Sequence, residues 1–236
     1  MGVNSFHSLD EYLSPHTFSK NMFSTLLAYN RQGKLVQHSV EAGFSTGHPN
    51  SPVQPRNVTE NMLSVSYRLL RLVAEKPLAG KTLRMSAGAG LSSFLANTDF
   101  IATDSQHNYE WSEQSWYCSN SLDFCAEGKY TLSQKSTISA QLMLPVFLLV
   151  SRPESGHLYS QKNREVINNF INAEFQGRPE FFWENPVFSC NLGFVQQIGS
   201  RTNLKLNYLF NYVSSNRPEA LRLYTNRFLV GFEFLF

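Results

Sequence analysis

The residues of this chain that could do chemistry are its six histidines and their neighbours: His7, His16, His38, His48, His107 and His157. A histidine beside a carboxylate can activate water, and one beside a serine can activate a nucleophile. Asp104 and His107 share one polar stretch, and His157 lies close to Glu154 and Ser155 in another. His38 and Ser39 are adjacent, but neighbours on an extended strand face opposite ways and form no working pair. The chain contains no Gly-x-Ser-x-Gly, no zinc-ligand spacing and no phosphate-binding glycine loop. Cys118, Cys125 and Cys190 lack a metal-binding spacing. The odd separation of the first two puts them on opposite faces of a regular strand, so all three read as unpaired. The histidines of the long stretches and their neighbours read as solvated loop residues, and the expectation is a protein with no catalytic activity, no metal and no cofactor.

The elements that must position any functional residue are strands. Apolar residues recur at every second position in segments of about ten to sixteen residues, the mark of half-buried β structure. The final stretch, "FLVGFEFLF", sets Phe228, Val230, Phe232, Phe234 and Phe236 on one face. "TISAQLMLPVFLLV" sets Ile138, Leu142, Leu144, Val146, Leu148 and Val150 opposite Thr137, Ser139 and Gln141, with Pro145 marking a bulge. Connections alternate between tight turns such as "NRQGK", "AEKPLAGK", "LSQK" and "QIGSR" and long stretches over residues 45–60, 96–114 and 151–185. That alternation belongs to an up-and-down meander with one plain and one elaborated end. Nothing marks a linker, so residues 1–236 read as a single domain. Residues 1–17 form an N-terminal segment or first strand, and 151–182 a long outer loop. Within that loop, Val166, Ile167, Phe170 and Ile171 share one face of an expected short helix at about residues 161–175.

Which solvent each face meets follows from the residue types. The polar face is rich in Ser, Gly, Asn and Thr instead of the Lys and Glu that coat a soluble sheet. Its charges nearly cancel: Glu41, Asp123, Glu127 and Glu233 against Arg68, Arg84, Lys129, Lys205 and Arg227. Small residues and balanced charges suit a crowded lumen, where an isolated buried charge would cost several kcal/mol. Tyr29, Tyr130, Phe234 and Phe236 gather at the short-turn end, and Trp116, Tyr212 and Tyr224 toward the other, as interfacial girdles do. Arg71 breaks the apolar face near a short turn, where its head can snorkel. No apolar run is long enough for a membrane-spanning helix. The expectation is therefore all-β: an antiparallel up-and-down transmembrane β-barrel of about ten strands, with eight as the alternative.

The alternating last strand, ending on Phe236, resembles the terminal β-signal of bacterial outer-membrane β-barrel proteins, carried here by Phe228, Val230, Phe232, Phe234 and Phe236. The loops and composition resemble barrels from Bacteroidota. The resemblance implies a bacterial outer-membrane location, surroundings of lipid bilayer and lipopolysaccharide, and the barrel assembly machinery as a partner during biogenesis. "MGVNSFHSLD" is not a signal peptide, so one is expected to have been removed. If "NSFHSLDEYL" supplies a first strand, the count reaches ten; otherwise eight strands carry an extra N-terminal segment. The formal charge of +2 leaves no basic stripe for nucleic acid. The function expected is a structural or interaction subunit of a larger outer-membrane assembly, in contact with other outer-membrane proteins. Trp116, Val166, Phe170, Phe181 and Trp183 are the candidate contacts. The alternatives are a narrow porin-like pore, an outer-rim protease or lipase, and a soluble lipid-binding barrel with inverted faces. The rim-protease reading rests on Asp104 and His107, since omptin proteases use Asp and His residues on their outer rim.

Overall fold

The computed structural model describes residues 1–10, 14–48, 57–104, 109–152, 177–216 and 220–235. Its strands are β1 (Gly2–Asp10), β2 (Ser14–Gln32), β3 (Val36–Gly47), β4 (Asn57–Leu78), β5 (Lys81–Asp104) and β6 (Tyr109–Ser133). They continue as β7 (Ser136–Ser151), β8 (Arg178–Phe181), β9 (Val187–Gln197), β10 (Thr202–Ser215) and β11 (Leu221–Phe234). Each pairs antiparallel with its neighbour in sequence, except that β7 pairs with β9 and carries the four-residue β8 at one end. The first and last strands also pair, from Gly2↔Leu229 to Asp10↔Leu221, so the sheet closes into a ten-stranded antiparallel barrel. The N-terminal ammonium adds a bond to the Val230 carbonyl at 2.9 Å. Closure leaves no unpaired edge in the wall, which answers the hazard of an exposed apolar strand. The ten-strand count holds because residues 2–10 form the closing strand.

The faces sort as the alternation requires. From Leu221 to Val230 burial and exposure alternate along β11. Phe228 and Phe232 are 61% and 64% exposed, and Arg227 between β10 and β1 is buried. Phe236 and the expected loop helix, with Val166 and Phe170, lie outside the described residues. No helix occurs among those described.

At one end the connections are tight. Leu78 pairs with Lys81, leaving a two-residue loop in which Ala79 and Gly80 take φ of 50° and 75°. Positive φ at both central positions gives the type I′ turn that matches strand twist. Glycine adopts that conformation freely, whereas alanine is strained there.

Two expectations change. Residues 96–114, read as an outer loop, are largely strand: β5 runs to Asp104 and β6 starts at Tyr109, 24 and 25 residues long. Thr98, Phe100, Ile101 and Thr103 favour extended structure, and the ladder pairs them from Thr98↔Ser115 to Thr103↔Glu110. The polar residues interspersed among them suggested a loop, but cross-strand pairing satisfies the backbone all the same. The second change concerns β7. Leu122 pairs with Phe147 and Asp123 with Pro145, so Val146 is bulged out of register. An extra residue reverses the phase beyond it. Leu148 and Val150, expected on the outward face, are instead buried inside the barrel, at 0% and 5% exposure.

Candidate functional site: the lumen

The inward residues form layers. Nearest the short turns, Lys129 Nζ donates to Gln37 Oε1 at 2.7 Å and pairs with Glu127 at 3.1 Å. Gln37 is on β3 and Lys129 on β6, so this contact crosses the lumen. Arg84 pairs with Glu75 at 3.2 Å at the half-exposed mouth, and Glu233 accepts from Asn203 Nδ2 at 2.8 Å. Lys205 makes no side-chain bond among the described residues.

The middle layer is organised by Arg68 on β4, whose side chain is 5% exposed. One terminal nitrogen donates to Glu41 on β3 and the other to Gln141 on β7, three pairings away around the wall. Gly90 lies opposite Arg68, and a Cβ there would meet Arg68 Cγ at 3.4 Å and Cys125 Sγ at 3.0 Å. The absent side chain gives the guanidinium stem room to lie along the wall. Asp123 accepts from Ser92 Oγ at 2.7 Å and Ser121 Oγ at 2.6 Å, and the two hydroxyls are 2.6 Å apart. A carboxylate held by two hydroxyls is satisfied without a cation.

Toward the long-loop end the lumen turns apolar. Phe6, Met22, Met62, Tyr117, Leu148 and Leu223 belong to one buried cluster, with Phe94 and Val187 packed against it. Buried residues from eight staves meet there, so the interior is bridged from wall to wall. Sequence reasoning missed this cluster. Parity would have placed Leu223, on the face of Arg227, and Phe94, on the face of Ser92; Leu148 required the bulge to be carried through.

The nine charged lumen candidates thus lie on the inward parity, but seven of them form separate contacts instead of one network, and Lys205 and Arg227 make no side-chain bond among the described residues. The candidate partner residues also separate. Phe181 and Trp183 stack at 4.7 Å with an interplanar angle of 5°, and Phe147 meets Phe181 edge-on at 5.9 Å. Trp183 is 74% exposed. Trp116 joins none of these rings. Of the catalytic candidates, Ser39 is buried inside while His38 bonds the Tyr67 hydroxyl on the other face at 2.9 Å. His48 Nδ1 lies 3.2 Å from Thr59 Oγ1. His107 and His157 lie outside the described residues. No group of three metal-ligating side chains occurs among those described, and all three cysteines are free.

The ring of paired strands, the polar interior and the apolar exterior define a closed ten-stranded antiparallel β-barrel. No protein-family profile matches the chain, and no curated protein does. A solved structure of the NanC porin is similar over 99% of this chain and 100% of that one, at 9% identity and a TM-score of 0.29. A likeness that distant says nothing about what this lumen holds or passes.

Proposed function

We propose that this chain is a bacterial outer-membrane β-barrel protein with a sealed lumen, and that it serves as a non-enzymatic structural or interaction subunit of an envelope assembly. The observation that carries the reading is the interior: Arg68 bridges Glu41 and Gln141 across the middle, and an apolar cluster fills the long-loop half. A pore needs a continuous wet path, and ten strands leave an interior that side chains can fill. The exterior supports the membrane half of the reading. Val40, Val65, Leu91, Phe124, Leu206, Val230 and other large apolar residues are exposed around the wall. A contiguous patch of that kind marks an apolar environment. Phe228, Val230, Phe232 and Phe234 carry the resemblance to an assembly signal on the strand that closes the barrel. The exposed Phe181–Trp183 stack supports a contact at the outer rim, since aromatic side chains concentrate in interface cores.

The test is extraction from native membranes in mild detergent through a tag in an outer loop, leaving the C-terminus free. Stoichiometric co-purifying proteins, lost on Trp183→Ala, are the expected result. A solitary barrel would overturn the subunit reading.

A further inference from the structure

We propose that the middle of the lumen is a binding site for a small monovalent anion of the halide class, held chiefly by Arg227 with Arg68 beside it.

Donors outnumber bonded acceptors in the middle of the lumen. Arg227 is 7% exposed, and among the described residues its guanidinium has no hydrogen bond or ion pair. Its terminal nitrogen lies over Gly43, where an added Cβ would stand 3.2 Å away. Glu41 is the carboxylate whose charge acts on it. That carboxylate, however, is bonded by Arg68, whose own Nε also lacks a partner. Two buried guanidinium groups therefore share one carboxylate. A buried guanidinium without a bonded partner is costly, so an anion seated beside Arg227 would be stabilised there.

The same groups face one cavity of about 110 Å³, lined by Arg227, Arg68, Glu41, Asn191, Asn211 and Asp123 among others. Asp123 lines the same cavity, but its oxygens are engaged by Ser92 and Ser121 and it forms no ion pair with either arginine, so it leaves the Arg227 donors unbonded. A halide is close to a water molecule in size, whose share of liquid volume is about 30 Å³, so the cavity admits one with a few waters. A polyatomic organic anion of drug size does not fit. Asn191 and Asn211 add polar lining, while Phe94, Leu148, Val187 and Val213 of the apolar cluster line the same cavity.

The proposal is independent of whether the barrel assembles with partners. Crystals of the purified full-length barrel grown in potassium bromide should show anomalous density in this cavity beside Arg227, absent from Arg227→Gln and retained in Arg84→Gln at the mouth. In solution, chloride or bromide should raise the thermal unfolding midpoint saturably over equimolar potassium gluconate, as ligand linkage requires, and Arg227→Gln should lose that shift. The wild-type bromide measurement needs no variant, so a folding failure in Arg227→Gln leaves the proposal falsifiable. Density without anomalous signal, as water gives, or equal midpoints in bromide and gluconate would overturn it.

Discussion

Arg68 and Gln141 are joined across the interior of the barrel, guanidinium to amide oxygen, although their strands are separated by three pairings around the wall. The contact holds Arg68 over the lumen while its other terminal nitrogen holds Glu41. One side chain thus ties three staves together from within, and stability and closure become linked.

Removing that tie should be costly. Arg68→Ala removes the bonded partner of the Glu41 carboxylate and leaves it only the nearby charge of Arg227, which should cost up to about 3–5 kcal/mol for a broken buried pair. The paired variant Glu41→Gln with Arg68→Met removes both charges of the bonded pair but also the carboxylate that acts on Arg227, so it should recover only part of the loss. Unfolding midpoints in urea, followed by the heat-sensitive gel mobility of a folded barrel, check both.

The bulge at Val146 makes a prediction about direction. Cysteines placed at 147, 148 and 149 and labelled with a small fluorophore should report alternate environments. Labels at 147 and 149 should be quenched by brominated lipid, and one at 148 should not. An uninterrupted alternation from Ile138 would give the opposite pattern.

Backbone crowding separates two glycines. A Cβ on Gly88 would stand 2.0 Å from the Leu69 carbonyl oxygen, which cannot move without breaking the β4–β5 ladder, whereas one on Gly128 meets nothing within 4 Å. Gly88→Ala should cost at least about 1–3 kcal/mol, as overpacking does. Gly128→Ala should fall within about 0.5 kcal/mol of wild type. Equal unfolding midpoints for the two variants would contradict the placement of Gly88.

The turn at Ala79–Gly80 has room for improvement. Ala79 holds a positive φ that costs an L-residue about 1–2 kcal/mol. Ala79→Asn creates the Asn-Gly pair that type I′ turns favour. It should raise the unfolding free energy by up to about 1 kcal/mol, seen as a higher midpoint, with Ala79→Val lowering it.

Period-two alternation made the barrel legible in the sequence, because a closed sheet between two different solvents imposes one face per parity on every strand. β11 shows this residue by residue: Phe228 and Phe232 outward, Arg227 and Glu233 on the inward parity. The same rule failed on β7, where a single bulged residue moved Leu148 and Val150 to the other face. The polar stretch around Thr98 looks like a loop in sequence because residue polarity says little about a ladder whose pairing partners lie on another strand. Inward charges could be named from parity, but their partners could not. Gln141 on Arg68 and Gln37 on Lys129 are contacts across a lumen whose width and stagger no single strand encodes. The apolar cluster was hidden for the same reason: Phe6, Met62, Tyr117 and Leu223 lie far apart in sequence and meet only when the barrel closes.

The central claim, a lumen closed by its own side chains, is tested most directly by current through the purified barrel reconstituted in a planar lipid bilayer. The account predicts no resolvable conductance steps for the wild type. Discrete steps should appear when the bridge and the cluster are opened together by Arg68→Ala with Leu148→Ala and Phe94→Ala. Stable, reproducible steps in the wild type, altered in size by Arg84→Gln or Glu127→Gln, would contradict it and make the protein a narrow pore.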